Sequence, residues 1–367
     1  MSWPRLLAGW LAWVAIGYAA ASVVGIGDPL PSSTNTEGRV LVIVPAHNEE
    51  HALGHLLDSL ARQELRASSL RILVVDDNSS DATAKVARSR GVAVHRAPVP
   101  PSNVNPKSAA LASVASEVSQ SDWVVFVDAD VEFVEPDALA RVLGAAAGGA
   151  LARLVSVQPR PRLPSRLGAL SAWLWITPLV ASGAMVPWSH HQTRVAFGPV
   201  LAMATSTYER LGGHRAVVAE PLDDAALAGR ARAAGCEVLA WAGGEAIAMD
   251  PYKQLGELVT GLRKNLVLGA RAAAPIPAAL AAVWVGSTLE ALVALARTRR
   301  VRAALLARGV AGLGVALLGA RRLGLANGAG GPLVVAGLGV LVGVSSLSAW
   351  DVVRGMTRWH GRSLRLR

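Results

Sequence analysis

Three short runs of mostly β-branched residues constrain this chain more than any other feature. Residues 39–44, 71–75 and 122–127 are continuously apolar after their first residue and have the length of a strand. Such runs are typical of parallel strands that are buried on both faces. Helical patterns alternate with these runs near residues 49–63, 80–90 and 107–119. The succession predicts an α/β domain with a mostly parallel central sheet and helices on both faces.

A polar cluster follows each of the three predicted strands. The clusters are PAHNEE at residues 45–50, DDNSSD at 76–81 and DAD at 128–130. Ligands of parallel sheets bind beyond the carboxyl ends of the strands, so we expect the three clusters to share one site. Two carboxylates, Asp128 and Asp130, can hold a divalent cation through oxygen ligands. Such an ion can clamp a diphosphate and neutralise it as it leaves.

These three clusters resemble the nucleotide-sugar-binding half of family 2 glycosyltransferases. The resemblance continues in FGP at 197–199, LGGH at 211–214 and LDDAALA at 222–228. The resemblance covers residues 38–270 and implies a GT-A fold. The apolar segments and the sequence TRWHGR at 357–362 are similar to the branch that contains carotenoid-acid (4,4'-diaponeurosporenoate) glycosyltransferases. The resemblance therefore implies an enzyme that takes a sugar from a nucleotide diphosphate donor, with Mn²⁺ or Mg²⁺ as cofactor.

The resemblance also implies roles in donor binding. Pro45 and Glu49 would border the base and ribose, which Asp77, with Asp76 beside it, would also contact. In the third cluster, Asp128 would face the ribose or a metal-bound water, and Asp130 would ligate the metal.

The acid pair at 223–224 is the implied catalytic element. Asp224 takes the place of the second acid of the family's Glu-Asp pair and would be the base, with Asp223 before it. A base must remove the acceptor proton on one face while cationic charge stabilises the diphosphate that leaves on the other. The Gln-x-x-Arg-Trp motif of processive synthases is replaced by GLRKN at 261–265, in which Arg263 and Lys264 would steady the diphosphate. A non-processive, inverting reaction is therefore expected.

Two further segments allow two interpretations each. Lys107 matches a lysine-containing donor segment of related enzymes, although the prolines before it also indicate a plain surface loop. Gly212, Gly213 and His214 would let the backbone approach a sugar closely, or would form an ordinary turn after a helix.

Apolar segments predict a membrane protein with four parts. Residues 6–27 contain no charge, and 22 helical residues span about 33 Å, enough for a hydrocarbon core. The predicted parts are a transmembrane anchor (1–28), a GT-A catalytic domain (38–245), an amphipathic connection (246–272) and a membrane region with two or three helices (273–367). Within the catalytic domain, the apolar and Trp-containing residues 165–190 predict an interfacial segment.

The charge distribution argues for a membrane and against nucleic acid as a partner. The formal net charge is +10, but residues 297–367 hold twelve Arg and one acidic residue, Asp351. The excess therefore lies in an apolar tail, where it predicts membrane topology. The family resemblance implies a cytosolic catalytic domain, because nucleotide sugars are cytosolic. Three crossings after residue 272 would then export residues 297–302 and the C-terminus, so we expect two crossings, with a re-entrant or interfacial segment at 272–296.

The resemblance, together with the apolar segments, implies transfer of one sugar, from a UDP-hexose donor, to a hydrophobic lipid or carotenoid-like acceptor at the cytosolic face of the cell membrane. A polyprenyl-phosphate sugar transferase is the first alternative, because it would share the donor chemistry. A catalytically silent nucleotide-sugar-binding scaffold is the second, although a binding module would not need Asp224.

Overall fold

The computed structural model describes residues 3–27, 30–32, 37–65, 69–101, 104–297, 302–326, 330–359 and 362–365. Residues 298–301, 327–329, 360–361 and 366–367 of the predicted basic tail lie outside the described residues. The chain forms two compact units. We call residues 1–28, 162–193 and 252–350 the apolar unit, and residues 29–161, 194–251 and 351–367 the sheet unit. Residues 165–190, predicted as an interfacial part of the catalytic domain, thus group with the apolar unit.

The strands follow one another along the chain as β1 Arg39–Ala46, β2 Ser69–Asp76, β3 Ala93–Arg96, β4 Trp123–Val127, β5 Val131–Phe133, β6 Arg153–Gln158, β7 Arg160–Pro161, β8 Val200–Ala204, β9 Glu237–Ala242, β10 Ile247–Met249, β11 Met356–Trp359 and β12 Arg362–Arg365. The helices are α1 Trp3–Gly25, α2 Leu53–Ala61, α3 Thr83–Arg88, α4 Pro106–Ala112, α5 Ala115–Val118, α6 Ala138–Ala147, α7 Ser165–Ser182, α8 Thr205–Arg210, α9 Asp223–Ala233, α10 Leu255–Arg263, α11 Asn265–Ala272, α12 Pro275–Arg297, α13 Ala303–Arg322 and α14 Gly331–Arg354.

A seven-stranded sheet in the order β3-β2-β1-β4-β8-β6-β9 organises the sheet unit. The first four of these strands are parallel, β8 runs antiparallel to both of its neighbours, and β9 is parallel to β6. In the β1–β2 register Ala46 lies opposite Asp76, so the two strands end at the same level. The loops after β1 and β2 therefore leave the sheet side by side.

The strands have the burial that their sequences predict. Four consecutive residues of β4, Val124 to Val127, are at most 2% exposed, as expected for a strand covered on both faces. Leu41 and Ile43 of β1 join Val124 and Phe126 of β4 in one buried hydrophobic cluster. A second sheet, β5-β10-β7, pairs β10 antiparallel to β5 and so brings residue 250 next to the end of β4. The site described below is thus supported by two sheets.

Tightly packed helices form the apolar unit. Helix α7 contacts α1, α12 and α13, and its Trp173 is fully buried with its ring centroid 4.9 Å from that of Trp284. The indole of Trp284 donates to the Gly312 carbonyl at 3.1 Å. A Cβ at Gly312 would lie 2.2 Å from the Thr288 hydroxyl, so only glycine allows α12 and α13 this close an approach.

Four helices of the described chain are long and apolar enough to cross a membrane, namely Leu6–Gly25, Pro275–Arg297, Ala303–Arg322 and Gly331–Arg354. The prediction of apolar N-terminal and C-terminal helices that could span a membrane is therefore confirmed. How many of them cross is taken up below as part of the proposal.

Candidate active site

The loops after β1 and β2 are locked together by their own polar groups. The His47 Nδ1 atom lies 2.6 Å from the Asp77 carbonyl oxygen, and the Asp77 backbone amide donates to the Ala46 carbonyl at 2.8 Å. The Ser80 amide donates to the side chain of Asn48 at 2.8 Å. Asn48 has a positive φ of 57°, which asparagine tolerates better than most residues because its short side chain bonds locally. The predicted convergence of these two clusters is present in the fold.

Three of the predicted donor residues lie in this pair of loops with different surroundings. Asp76 is only 3% exposed, and its carboxylate accepts the Ser79 amide at 2.9 Å, which closes the turn after β2. Asp77 is 8% exposed. The Glu49 amide donates to the Thr83 hydroxyl at 2.8 Å and so ties the β1 loop to the start of α3. Pro45 lies within β1, opposite Val75.

The third cluster meets a lysine from another element. Lys107 forms an ion pair with Asp128, and their side chains are 23% and 31% exposed. Lys107 lies in the first turn of α4, where Asn105 is the N-cap residue and Pro106 the first helical residue. The Asn105 amide and side chain donate to the carbonyls of Val218 and Glu220 at 2.8 and 3.2 Å. Helix α4 is thereby fixed to the segment that precedes the acid pair.

A glycine-proline step joins Asp128 to the acid pair. The Asp128 amide donates to the Pro199 carbonyl at 2.9 Å. A Cβ at Gly198 would lie 3.0 Å from the Asp224 carboxylate, so the backbone of residue 198 is in close contact with that side chain. Asp223 and Asp224 occupy the first turn of α9, where the helix dipole favours negative charge. The structure thus brings Lys107, Asp128 and Asp224 together around residues 198–199.

Electrostatics show that these acids share one environment. Burial, and then the charges of Asp130, Asp128 and Asp81, raises the pKa of Glu49 to about 8. Burial and the charge of Asp128 raise the pKa of Asp130 to about 7. Burial opposes the charge of Lys107, but Asp128, Asp223 and Asp224 outweigh it and raise the pKa of that lysine. Lys107 therefore lies among several carboxylates, and a divalent cation would relieve the negative charge that remains.

Comparisons with known proteins agree with this arrangement. The sequence profile described as Glycosyl transferase family 2 matches residues 41–162, which include β1, β2, β4 and all three polar clusters. Residues 41–162 thus have the sequence pattern of a family 2 glycosyltransferase domain. A 4,4'-diaponeurosporenoate glycosyltransferase of Staphylococcus haemolyticus is 29% identical over 266 residues, 71% of this chain and 70% of the relative. The enzyme of the same name from Staphylococcus aureus strain RF122 is 27% identical over 264 residues, 71% and 69% of the two chains.

The fold is shared with a solved glycosyltransferase. A mannosyltransferase of Pyrobaculum calidifontis, solved with GDP-Man and Mn²⁺, superimposes with a TM-score of 0.58 at 20% identity and covers 93% of this chain and 99% of its own. The predicted GT-A fold and the prediction of a glycosyltransferase are therefore confirmed.

Asp250 is a residue of this glycosyltransferase that sequence reasoning missed. It follows β10 directly, its amide donates to the Asp130 carbonyl at 3.0 Å, and its charge contributes to the raised pKa of Asp130. The signal was present, because an acid follows a short apolar run here just as it does after β2 and β4. Among the described residues no group of three or more His, Cys, Asp or Glu has the geometry to hold a metal. The carboxylate oxygens of Asp128, Asp130 and Asp250 are nevertheless the donor type that Mn²⁺ or Mg²⁺ prefers.

The remaining predicted residues of the glycosyltransferase fall into two groups. Gly212 and Gly213 have positive φ values of 81° and 55° and lead into His214, which is 1% exposed. Arg263 ends α10 and Lys264 follows it; both belong to the apolar unit, where Lys264 is 7% exposed. Their predicted contact with the diphosphate stays a prediction, as do the individual roles of the other residues of the site.

Proposed function

We propose that this chain transfers one sugar from a nucleotide diphosphate donor to a hydrophobic lipid or carotenoid-like acceptor, with inversion and without processivity. The observation that supports the proposal best is the junction of Lys107, Asp128 and Asp224 at residues 198–199. A cation for a leaving diphosphate and a carboxylate for an acceptor proton are thereby held close together. A single displacement needs both groups at once.

The donor is assigned to the loops after β1, β2 and β4. Pro45, Glu49, Asp76 and Asp77 surround the nucleoside in this proposal, and Lys107 binds the diphosphate. Asp128 and Asp130 would hold Mn²⁺ or Mg²⁺, with Asp250 beside them. The ion would neutralise the diphosphate as it leaves. The structural neighbour binds GDP-Man and Mn²⁺; our proposal for this chain is a UDP-hexose, and the experiment below includes GDP-mannose for that reason.

A hydrophobic acceptor is supported by the apolar unit. A cavity of about 560 Å³ lies between α1, α12 and the residues after α7. Its lining is almost wholly apolar and comprises Val14, Tyr18, Gly183, Val186, Trp188, Ser189, Ile276, Pro277 and Leu280. The Tyr18 hydroxyl already donates to the Val180 carbonyl at 3.2 Å, so the wall offers an acceptor mainly apolar contact. The relatives' name refers to a carotenoid acid, which is a molecule of this kind.

The proposed location is the cytosolic face of the cell membrane, in a protein that crosses it several times. The chain leaves the sheet unit after residue 251 and returns to it at residue 351. If the whole sheet unit lies on one side, α12, α13 and α14 together cross an even number of times. This agrees with the two crossings that the arginines predict. A reporter fused to the C-terminus should give a cytosolic signal, and an extracytosolic signal would contradict the proposed topology.

The function is tested with the full chain in membranes. Labelled UDP-glucose, UDP-galactose, UDP-N-acetylglucosamine and GDP-mannose are each supplied with Mn²⁺ and with a carotenoid acid, a long-chain alcohol or a polyprenyl phosphate. The lipid fraction is then analysed by mass spectrometry. We expect a singly glycosylated lipid with one donor, and loss of that product with Asp130→Asn.

Asp58→Asn is the matched control, because Asp58 on α2 is an exposed carboxylate, paired with Arg90 and outside the site. A product cleaved by mild base indicates an ester and hence a carboxylate acceptor. Transfer of the labelled sugar to polyprenyl phosphate would favour a polyprenyl-phosphate sugar transferase over the proposed function. If no donor gives labelled lipid, or if Asp130→Asn and Asp58→Asn behave alike, the enzyme proposal is refuted.

A further inference from the structure

Tyr208 and His214 form a closed hydrogen-bonded pair behind the acid pair. The His214 backbone amide donates to the Tyr208 hydroxyl at 2.9 Å, and the same hydroxyl lies 2.8 Å from His214 Nδ1. Among the described residues, Nδ1 is the acceptor within reach of the hydroxyl proton, so we assign that proton to the bond with Nδ1. A neutral His214 then carries its proton on Nε2.

The backbone is built to allow this pair. Gly213 has a φ of 55°, and a Cβ there would lie 2.7 Å from the Tyr208 ring. Only glycine therefore permits Tyr208 to close on the next residue. The His214 ring also packs edge-on against Phe126 of β4, with centroids 4.6 Å apart. His214 is fixed between β4, the strand that Asp128 follows, and the turn that begins α9.

The proton-bearing nitrogen is the one that faces the acid pair. His214 Nε2 lies 3.9 Å from the Asp223 carboxylate, in a setting where the His214 side chain is 1% and that of Asp223 13% exposed. This distance exceeds a hydrogen bond by less than 1 Å, and such contacts often shorten when substrate binds. The Cα–Cβ bonds of consecutive helical residues point about 100° apart around the helix axis. Fixing Asp223 in the first turn of α9 therefore also fixes the direction in which the Asp224 side chain leaves the helix.

We propose that Tyr208 and His214 are positioning residues for the acid pair, with His214 donating from Nε2 to Asp223 and thereby aiming Asp224 at the acceptor. The inference rests on the proposed role of Asp224 as the base. It gives His214 a role through Asp223 in place of the direct sugar contact that the sequence predicts.

The groups around the ring keep it neutral. Burial lowers the pKa of His214 to about 4; the Asp223 charge of α9 opposes this shift, and the Lys107 charge of α4 adds to it. Burial, with a smaller contribution from Asp223, raises the pKa of Tyr208 of α8 to about 12. Between pH 5 and 9 neither side chain of the pair should therefore change charge.

Two amide substitutions separate the two nitrogens of His214. His214→Asn places an amide near Nδ1 and cannot reach Asp223, whereas His214→Gln places an amide near Nε2 and can still donate. A hydrogen bond to a charged group corresponds to about 10- to 100-fold in rate. We expect kcat to fall by that factor in His214→Asn and by less than about threefold in His214→Gln. The KM for the donor should stay unchanged in both, because the pair does not contact the donor. Tyr208→Phe should lower kcat about 10-fold.

His95→Asn is the matched control, since His95 lies on β3 and contacts Ser113 at 3.0 Å away from the site. Equal kcat values for His214→Asn and His95→Asn would overturn the inference. A merely structural role of His214 would lower kcat, donor affinity and Tm together, and to the same extent in His214→Asn and His214→Gln. That result would also overturn the inference. The pH profile of kcat should be the same in the wild type and His214→Gln; an acidic limb near pH 6.5 that the substitution removes would also overturn it.

Failure of the proposed function gives a different result. In that case the wild type and His95→Asn transfer no sugar either. Nitrogen-15 NMR of histidine-labelled protein then tests the pair directly. We expect a neutral Nε2–H ring between pH 5 and 8 that is absent in His214→Asn and altered in Tyr208→Phe, and a ring protonated on both nitrogens would refute the pair.

Discussion

Because Gly198 contacts Asp224, the role of Asp224 can be tested without substituting a charged residue. In Gly198→Ala the new Cβ would lie 3.0 Å from the Asp224 carboxylate oxygen, whereas ordinary contacts begin at 3.4 Å. The carboxylate must therefore move by about 0.4 Å, since residue 198 has no positive φ that would strain an alanine. A 1 Å misplacement of a catalytic group costs about 100-fold in rate. Scaled logarithmically, about 0.4 Å corresponds to a fall in kcat of about sixfold.

The assay compares kcat and the affinity for the nucleoside diphosphate in the same preparation. We expect kcat to fall about fivefold to tenfold in Gly198→Ala, while Tm falls only slightly and diphosphate affinity stays within about twofold. Gly229→Ala is the control, because Gly229 lies in the same helix as Asp224, α9, and a Cβ at Gly229 meets nothing within 4 Å. An unchanged kcat in Gly198→Ala would refute a reacting role for Asp224. An equal loss of diphosphate affinity would show that the substitution disturbs the donor site instead.

Three further predictions concern Lys107, Glu49 and the apolar cavity. Lys107→Met should lower kcat/KM by at least about 100-fold, because it removes the cation that lies among Asp128 and the acid pair, whereas Lys85→Met on α3 should leave it unchanged. With metal removed by a chelator, Tm should fall as pH rises from about 5 to 8. The reason is that Glu49, with its raised pKa, binds more protons in the folded state than in the unfolded state. Glu49→Gln should flatten the dependence of Tm on pH, and an unchanged slope would contradict the assignment. Leu280→Trp should fill the apolar cavity and raise the KM for a lipid acceptor but not the KM for the donor. Val293→Trp, at an exposed position of the same helix α12, is the control, and equal effects of the two substitutions would contradict acceptor binding in the cavity.

The sheet and the first two loops could be predicted from sequence because they depend on local patterns. The runs at 39–44 and 71–75 are strands, and parallel strands end at one edge, so the convergence of Glu49 and Asp77 needs no knowledge of distant contacts. The contact of Asp250 with Asp130 was missed because it depends on the antiparallel pairing of β10 with β5, more than a hundred residues apart. The burial of His214 depends on the Tyr208 ring closing over Gly213, a side-chain packing that sequence spacing does not encode.

Residues 165–190 illustrate a different limit. An apolar segment with several tryptophans has the composition of an interfacial segment and of a buried helix alike. What places α7 in the apolar unit is its contact with four other helices, α1, α11, α12 and α13, together with the indole of Trp173, which donates to the Val334 carbonyl at 2.9 Å. Such partners lie far away along the chain, and composition alone does not identify them.

The chemistry of the acceptor should decide the response to Asp224→Asn. An alcohol acceptor must lose its proton as the new bond forms, so removal of the base should abolish turnover almost completely. A carboxylate acceptor is already an anion near neutral pH and needs no base. It must instead enter a site where Asp223, Asp128 and Asp130 repel it and Lys107 is the neighbouring cation. For such an acceptor Asp224→Asn removes one repelling charge, so we expect its KM to fall and kcat to survive within about tenfold. Initial rates at varied acceptor concentration and high salt separate the two cases, because salt screens the repulsion and should lower the wild-type KM only for an anionic acceptor. Loss of kcat with an ester product would contradict this reasoning, since it would require a base where the chemistry offers no proton to remove.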